Sequence, residues 1–117
     1  MEISGQAVLL RVFVGESDKL GHTPLYEEIV KRARDADLAG ATVLKGVLGF
    51  GATARIRTQK ILDLSSDLSM VIEIVDEEEK ITGFKATLSE LFERSGCGGL
   101  VTLENVRIIH YLPEKKS

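Results

Sequence analysis

The stretch LSMVIEIVDEEEKITGFKATLSELFERSGCGGL, residues 68–100, decides the fold because it reads as a strand followed directly by a helix. Leu68 to Val75 is predicted to be a strand, with Met70, Ile72 and Ile74 on one face and Val71, Glu73 and Val75 on the other. Asp76 and three glutamates then favour a helix start, because carboxylates there complement the positive end of the helix dipole. The apolar residues that follow at helical spacing are Ile81, Phe84, Leu88, Leu91 and Phe92.

A glycine-rich exit from this helix leads into a predicted last strand, Leu100 to Leu112. The apolar pattern of that strand changes phase near Glu104 and Asn105, which predicts a bulge. Its polar end, from Pro113 to Ser117, is expected to be a short tail.

The first part of the chain has the same strand, helix and strand order. Gln6 to Val14 is apolar on both faces, which predicts a strand in the centre of the sheet. Thr23 and Pro24 predict a helix start, and Gly40 predicts the helix end, where glycine can adopt a left-handed conformation. Ala41 to Leu48 is the predicted second strand.

Two such halves predict an α+β fold of the ferredoxin-like split βαβ kind, with the element order βαββαβ. Right-handed crossovers place both helices on one face of a single antiparallel sheet. The first and third strands are apolar on both faces, so the other face would expose a large apolar patch in a monomer. We therefore expect a homo-oligomer whose sheets face inward.

The 117 residues have a length suited to one domain, residues 1–117, with a long loop at about 49–67 that includes a turn of helix at Gln59 to Leu64. An apolar fraction of 44% and a charged fraction of 28% are ordinary for a soluble protein, and the apolar runs are too short to span a membrane. A net charge of −3 gives no general attraction to nucleic acid. A single cysteine and the lack of a secretory signal favour a cytoplasmic location.

Established catalytic motifs are absent from the sequence: it has no phosphate loop, no nucleophile elbow, no H-E-x-x-H and no C-x-x-C. We therefore expect no enzyme and no catalytic residues. The glycines instead form two clusters, which can be plain turns or can let a phosphate approach the backbone amides. These clusters are Gly46, Gly49 and Gly51, and Gly96, Gly98 and Gly99.

Few titratable residues stand out from the pattern. Arg55, Arg57 and Lys60 in the long loop could neutralise phosphates or an acidic partner surface, or could simply be solvated. Glu73 lies within an apolar strand, where it is either a functional carboxyl group or, as we favour, the partner of a lysine or arginine. His22 and His110 are too few to make a specific metal site, so no metal is expected.

Three segments of the chain resemble the PII-like signalling proteins. Gly40-Ala41-Thr42-Val43 leading to Gly49-Phe50-Gly51 looks like the PII second strand and the start of its long T-loop, and Leu68 to Val75 is similar to the returning strand. Ser95 to Val101 resembles a shortened B-loop. Together with GHTPLY at residues 21–26, these segments look most like the uncharacterised branch named domain of unknown function 190.

This resemblance implies a homotrimer that binds an adenine nucleotide in the clefts between subunits, with no obligatory cofactor. The nucleotide would lie between the T-loop base of one subunit and the B-loop of the same or the adjacent subunit. A T-loop reports nucleotide occupancy to a protein partner, which stays unidentified here, with a membrane transporter as one candidate. By position, the implied nucleotide-binding residues are Thr42, Gly49, Phe50, Gly51, Arg55, Arg57, Gly96, Gly98, Gly99, Arg107 and His110.

These residues have different implied roles. Gly49, Phe50 and Gly51 would border the nucleotide, Thr42 would approach the base, and the second glycine cluster would hold phosphates. Arg107 and His110 would replace the paired arginines of the PII last strand, and Arg55 or Arg57 would contact phosphate.

Departures from the PII pattern weaken the expectation of triphosphate binding. Leu100 stands where a lysine normally follows the last glycine, and Ala52 and Thr53 replace the arginine and glutamine after G-F-G. A diphosphate or monophosphate is therefore as plausible a ligand as ATP. Two alternatives stay open: a small ferredoxin-fold enzyme that uses Glu73, His22 or His110 in a closed pocket, and a metal-binding trimer of the CutA kind.

Overall fold

The computed structural model describes residues 5–50, 57–58 and 68–114 of the chain. The predicted helix turn at Gln59 to Leu64 lies outside these residues. The elements, in chain order, are β1 (Gln6–Gly15), β2 (Lys19–Leu20), β3 (Thr23–Pro24), α1 (Leu25–Asp35), β4 (Thr42–Lys45), β5 (Leu48–Gly49), β6 (Arg57–Thr58), β7 (Ser69–Asp76), α2 (Glu78–Ser95) and β8 (Leu100–Arg107).

The main sheet has the strand order β4-β7-β1-β8, and every neighbouring pair is antiparallel. Strand β1 is central, and each half of the chain forms a strand, helix and strand unit. This order confirms the predicted ferredoxin-like split βαβ fold. Two short ladders accompany the sheet, one between β2 and β3 and one between β5 and β6.

Both helices pack on one face of this sheet and enclose the core. Alternate residues of β1 and β7 point toward the helices, because side chains of a strand alternate between its faces. Burial of each large apolar side chain there stabilises the fold by roughly 1.5–3 kcal/mol. The buried sheet residues are Val8, Leu10, Val12, Val14, Met70, Ile72 and Ile74, and the helices contribute Leu25, Ile29, Ala33, Ile81, Phe84, Leu88 and Leu91.

The opposite face of the sheet, which we call the open face, has no helix of this chain over it in the described residues. Its residues follow from the strand register, since directly opposed residues point to the same side. Leu44 and Leu100 on this face are 50% and 56% exposed. The other apolar side chains of the open face are Leu9, Phe13, Val71, Val75 and Val106, which are partly buried, and Ala7, which is buried.

Helix α1 ends earlier than Gly40, so that prediction was wrong. Asp37 adopts the left-handed conformation, with φ of 58°. The amide of Leu38 donates to the carbonyl oxygen of Ala33 at 3.1 Å, and the amide of Asp37 donates to that of Arg34 at 3.1 Å. These two bonds form a Schellman motif, which satisfies the last carbonyls of the helix. An aspartate tolerates this conformation better than most residues, which is why glycine is not required here.

Three other boundaries differ from the sequence prediction. Helix α1 begins at Leu25 with Pro24 at its N-cap position, and Thr23 and Pro24 form β3 without a side-chain capping hydrogen bond. The predicted second strand breaks at Gly46 into β4 and β5. Strand β8 pairs with β1 in one continuous register from Leu100 to Arg107, so it contains no bulge and does not reach Leu112.

The chain leaves the sheet after β8 because its partner strand ends there. The Ile108 amide still donates to the Gly5 carbonyl oxygen at 2.7 Å, one residue beyond the ladder. Further on, the Tyr111 hydroxyl group donates to the carbonyl oxygen of Ala39 at 3.4 Å. Residues 108–111 therefore run along the end of the sheet, from β8 toward the end of α1.

Asp76 is a charged residue that is fully buried, at 0% exposure. Its Oδ2 accepts a hydrogen bond from the Ala39 amide at 2.8 Å, and its Oδ1 accepts one from the Glu77 amide at 2.7 Å. The carboxylate thus joins the loop after α1 to the start of α2. The sequence predicts that Asp76 caps α2, but it contacts the amide of Glu77 immediately before the helix.

Replacing Asp76 with alanine should destabilise the fold, because it leaves the partly buried amides of Ala39 and Glu77 without their acceptor. We expect the free energy of unfolding to fall by roughly 1–3 kcal/mol or more. Urea denaturation followed by circular dichroism measures this change. Asp35→Ala, which removes an acid whose side chain is 69% exposed, is the control and should change stability little. Equal losses in the two variants would contradict the role assigned to Asp76.

Candidate functional site

The first glycine cluster lies where the chain leaves β4 for the long loop. The Gly46 amide donates to the Ser69 carbonyl oxygen at 2.8 Å, and a Cβ atom at Gly46 would lie 3.4 Å from that oxygen. Gly46 therefore permits a close backbone approach between the two ends of the loop. Lys45 Nζ contacts Glu16 Oε2 at 2.9 Å, which ties the loop to the segment after β1.

Beyond Gly46 the chain forms the short β5–β6 ladder, in which Gly49 lies opposite Arg57. A Cβ atom at Gly49 would meet nothing within 4 Å, so packing does not require glycine there. Phe50 is 67% exposed beside it. The ladder brings together Gly49, Phe50 and the backbone of Arg57, whereas Gly51 and Arg55 lie outside the described residues.

The second glycine cluster follows α2, and two of its glycines have clear structural roles. Gly96 has φ of 68° and ends the helix, with its amide donating to the Phe92 carbonyl oxygen at 2.9 Å. A Cβ atom at Gly99 would lie 2.6 Å from Cε1 of Phe92 and 2.9 Å from the Phe13 carbonyl oxygen. Gly99 is therefore required by packing.

Gly98 is different, since a Cβ atom there would meet nothing within 4 Å. It has no positive φ either, so backbone conformation does not demand glycine. Gly49 and Gly98 are thus the glycines of the two clusters, within the described residues, for which neither packing nor backbone conformation explains the residue. Both leave room for a ligand to approach the backbone.

The two clusters lie at the same end of the sheet but on opposite edges. The first follows β4 and the second precedes β8, and β7 and β1 lie between these strands. Adjacent strands are about 4.8 Å apart, so the edges are roughly 14 Å apart. The segment 16–24 links the clusters, because Glu16 contacts Lys45 and the Lys19 carbonyl oxygen accepts a weak bond from Cys97 Sγ at 3.9 Å.

Sequence reasoning misses this linking segment, because its glycine, serine and aspartate content predicts only a loop. Gly21, with φ of 63°, forms the turn of the β2–β3 hairpin. The glycine between two short segments is the available signal for a hairpin.

Arg107 and His110 lie at the other end of the sheet. Arg107 pairs with Gln6, whereas Leu100, next to the second cluster, pairs with Phe13. The strand from Leu100 to Arg107 spans roughly 23 Å at the usual rise per residue. One subunit therefore does not bring Arg107 and His110 to the glycine clusters. Thr42 lies between the glycine end and the Arg107 end of the sheet, opposite Glu73 on the open face.

Glu73 is paired with an arginine, as the sequence reasoning favours. Arg11 Nε donates to Glu73 Oε2 at 2.8 Å, and Arg11 Nη1 donates to Glu104 Oε1 at 2.6 Å. The hydrogen bond to Glu73 raises the pKa of the Arg11 guanidinium above its ordinary value, and Glu104 adds to this rise. Arg11 is therefore positively charged at every pH at which proteins are normally folded.

The histidines lie apart from this group. His22 is exposed in the β2–β3 turn, and His110 is exposed after β8. Among the described residues there is no group of three His, Cys, Asp or Glu side chains that could hold a metal ion. In the same part of the chain, no helix is long and apolar enough to cross a membrane.

A cavity of about 1080 Å³ lies away from the glycine clusters, at the Arg107 end of the sheet. Glu77, Glu78 and Glu79 line it together with Arg107. Within one subunit the three carboxylates outnumber Arg107, so the size of the cavity alone does not make it a phosphate site.

Comparison with known proteins identifies relatives over most of the chain. Residues 7–108 match the family DUF190, described as Uncharacterized ACR. A UPF0166 protein of Aquifex aeolicus is 41% identical over 102 residues, covering 87% of this chain and 92% of that protein. A UPF0166 protein of Methanocaldococcus jannaschii is 33% identical over 91 residues, covering 78% and 83%.

Two solved structures with similar folds are described as PII-like. CPII, a nitrogen regulatory PII-like protein from Thiomonas intermedia bound to ADP, AMP and bicarbonate, has a TM-score of 0.66 and 16% identity, with 88% of each chain covered. A protein of Thermus thermophilus described as PII-like and signalling has a TM-score of 0.65 and 15% identity, with 93% of this chain and 94% of that chain covered. At these identities the likeness establishes the fold.

Gly98 and Gly99 are packed differently, so replacing each with alanine should have different effects on the free energy of unfolding. Gly99→Ala should lower the free energy of unfolding by about 1–3 kcal/mol, because its methyl group overlaps Phe92 and the backbone of Phe13. Gly98→Ala is the matched control and should be neutral or slightly stabilising, since its methyl group meets open space. Thermal and urea unfolding of the two variants measure this, and equal destabilisation would contradict the close packing of Gly99.

Proposed function

Because this chain belongs to the DUF190 family and has the fold of PII-like proteins, we propose that it is a regulatory protein that binds an adenine nucleotide and controls a partner protein. It acts as a homotrimer, with nucleotide bound in the clefts between subunits. The long loop at about 49–67 responds to nucleotide binding, and this response alters the affinity for the partner. The partner is unidentified.

The observation that carries this proposal is the pair of glycines, Gly49 and Gly98, that neither packing nor backbone conformation explains. They lie in two loops at one end of the sheet, which are also the loops where the sequence resembles the PII nucleotide-binding segments. Backbone amides in such loops can donate to phosphate oxygens without interference from side chains. The structural neighbour CPII, bound to ADP and AMP, supports an adenine nucleotide as the ligand class.

A site between subunits accounts for the placement of the basic residues. Arg107 and His110 lie roughly 23 Å along the sheet from the second glycine cluster of their own chain. In a ring of subunits, these residues can reach the glycine end of a neighbour. Lys45 is paired with Glu16, so phosphate charge is met mainly by Arg107 and by the loop arginines Arg55 and Arg57.

The open face supports the trimer. Its apolar side chains would otherwise lie in water, and large apolar patches of this kind usually mark interfaces. Three copies around an axis cover the three open faces together. Cytoplasmic residence, a single domain over residues 1–117 and the lack of catalytic activity stay predictions from the sequence.

The enzyme alternative has less support than regulation. It requires Glu73, His22 or His110 in a closed pocket, but Glu73 is held by Arg11 on the open face, and the two histidines are exposed and apart. A metal-binding trimer has no observation in its favour among the described residues. Nucleotide binding is therefore the function to test first.

ADP and AMP should raise the melting temperature of the wild-type protein, because a ligand that binds only the folded state stabilises it. The gain is about 2.7 kcal/mol when the nucleotide exceeds its Kd a hundredfold. Differential scanning fluorimetry with ADP, AMP and ATP measures the shift. Absence of any shift at millimolar nucleotide would contradict the proposal.

Gly98→Val tests whether Gly98 belongs to the nucleotide site, and the same substitution at Gly83 serves as the control. A branched side chain at Gly98 should abolish the ADP-dependent shift while the protein without nucleotide keeps its stability. Gly83→Val, at a glycine of α2 that also has open space around it, is the control and should keep the shift. A full ADP shift in Gly98→Val would exclude this loop from the site.

The trimer is tested by placing a charge on the open face. Leu44→Asp should weaken assembly at least about tenfold, because a carboxylate would have to leave water in the interface. Leu103→Asp is the control, since Leu103 is 44% exposed on the helix side of an edge strand, whereas Leu44 is 50% exposed on the open face. Native mass spectrometry and sedimentation velocity report subunit number, and an unaffected trimer in Leu44→Asp would contradict this interface.

A further inference from the structure

The outer edge of strand β8 has no partner strand in the part of the chain that the structure describes. β8 is the last strand in the order β4-β7-β1-β8, and it pairs with β1 alone. It is eight residues long, and its register with β1 contains no bulge. It also contains no proline or lysine, the residues that often protect a free edge from pairing with another chain. This edge is therefore open to an added strand.

The opposite edge of the same sheet is better protected. Strand β4 is four residues long and ends at Lys45, and the chain turns away from it at Gly46. A short edge strand that carries a lysine is a poor template for an added strand. Of the two edges, β8 is therefore the one that fits a partner.

The helix side of β8 is incompletely covered. Leu103 and Val101 lie opposite Leu10 and Val12 of β1 and point to the same side of the sheet. Leu10 and Val12 are 0% exposed, whereas Leu103 and Val101 are 44% and 38% exposed. The layer between the sheet and the helices is thus complete over β1 but not over β8.

A groove of about 400 Å³ lies at this place, between β8 and α2. The residues that line it are Lys85, Leu88, Ser89, Phe92, Val101 and Leu103. In a strand added beside β8, the residues opposite Val101 and Leu103 would point into the groove, because directly opposed residues share a face. The groove therefore suits two apolar side chains at alternate positions of the added strand.

Lys85 is the charged residue of this lining, and its charge is not balanced nearby. The residues one turn away from it on α2 are Ile81, Thr82, Leu88 and Ser89. None of them is acidic, and Lys85 forms no ion pair among the described residues. A carboxylate on the added strand would complement this lysine.

We propose that the β8 edge binds an extended segment of a partner protein, which becomes the fifth strand of the four-stranded main sheet. The segment has apolar side chains at two alternate positions and an acidic side chain two residues beyond them, near Lys85. Main-chain hydrogen bonds to β8 hold the segment, and the groove selects its side chains. This surface is additional to the proposed nucleotide site. It lies on the helix side of the sheet, so covering the open face leaves it accessible.

A partner of different sequence fits this edge better than a second copy of the chain does. Two β8 edges that paired with each other would bring a lysine from each groove and no acid to complement either. Such pairs would also link the proposed trimers into larger assemblies. Charge complementarity therefore favours an acidic segment from another protein.

Two synthetic peptides with blocked ends, TITITDT and TDTITIT, provide the probe. Both alternate two isoleucines and an aspartate on one face, and the two orders serve the two possible strand directions. At up to about 1 mM peptide, at least one should bind the full-length wild-type protein in fluorescence anisotropy. It should bind at least about tenfold more tightly than TIITTDT, which has the same composition without the alternation.

Binding should also slow the hydrogen exchange of amides in β8 relative to those in α1, because the added strand pairs with the edge. Hydrogen–deuterium exchange of the wild-type protein with and without peptide measures this. Binding without slower exchange in β8 would place the peptide in the groove without strand addition, and would overturn the inference.

Leu103→Asp should weaken peptide binding at least about tenfold, because it places a carboxylate in the apolar groove. Leu112→Asp is the matched control. Leu112 is 76% exposed after β8 and does not line the groove, so this variant should bind as the wild type does. Lys85→Glu should weaken binding of the aspartate peptide and strengthen binding of the same peptide with lysine in its place. Circular dichroism verifies that each variant is folded.

Failure of both peptides to bind, or equal losses in Leu103→Asp and Leu112→Asp, would overturn the inference. A changed subunit number of Leu103→Asp in native mass spectrometry would assign the edge to a second copy and overturn it as well. The ADP-dependent melting shift, recorded on the same variants, should match the wild type. A protein that shifts with ADP but binds neither peptide would keep the proposed function and lose only this inference.

Discussion

The structure depends on one constraint: the central strand β1 is apolar on both faces, but the chain covers only one of them in the described residues. The helices bury Val8, Leu10, Val12 and Val14, whereas Leu9 and Phe13 lie on the open face. The proposed homotrimer would cover the second face. It would also bring the Arg107 end of one subunit within reach of the glycine end of another, so the proposal gives the assembly and the binding site a common basis in this strand.

The glycines of this protein have different structural roles, which the backbone φ angle and the space for a Cβ atom distinguish. Gly96 ends a helix with a left-handed backbone, Gly99 lets β8 pack against Phe92, and Gly46 lets the two ends of the long loop approach. Gly49 and Gly98 have none of these roles. Together with the resemblance of their two loops to the PII nucleotide-binding segments, they support the proposal of a ligand at this end of the sheet.

The element order and topology could be predicted because the strands and helices have clear apolar periods. Prediction failed where the backbone was decided by local bonds: Asp37, and not Gly40, ends α1, and β8 has no bulge at Glu104. The pairing of Glu73 could be expected from a carboxylate in an apolar strand, but its partner Arg11 depended on register. The glycine clusters could be found in the sequence and the resemblance implied a nucleotide there, whereas only the fold showed that Arg107 and His110 are at the opposite end. Gly51 and Arg55 stay predictions.

The central claim is that each nucleotide site combines the glycine end of one subunit with the Arg107 end of its neighbour. Mixed assembly of two defective subunits, Gly98→Val and Arg107→Ala, tests it most directly, with ADP binding measured by isothermal titration calorimetry. Neither variant should bind ADP alone. Trimers that contain both kinds of subunit should each regain one intact cleft and bind one ADP. Mixed trimers, verified by native mass spectrometry, that bind no ADP would contradict a site shared between subunits.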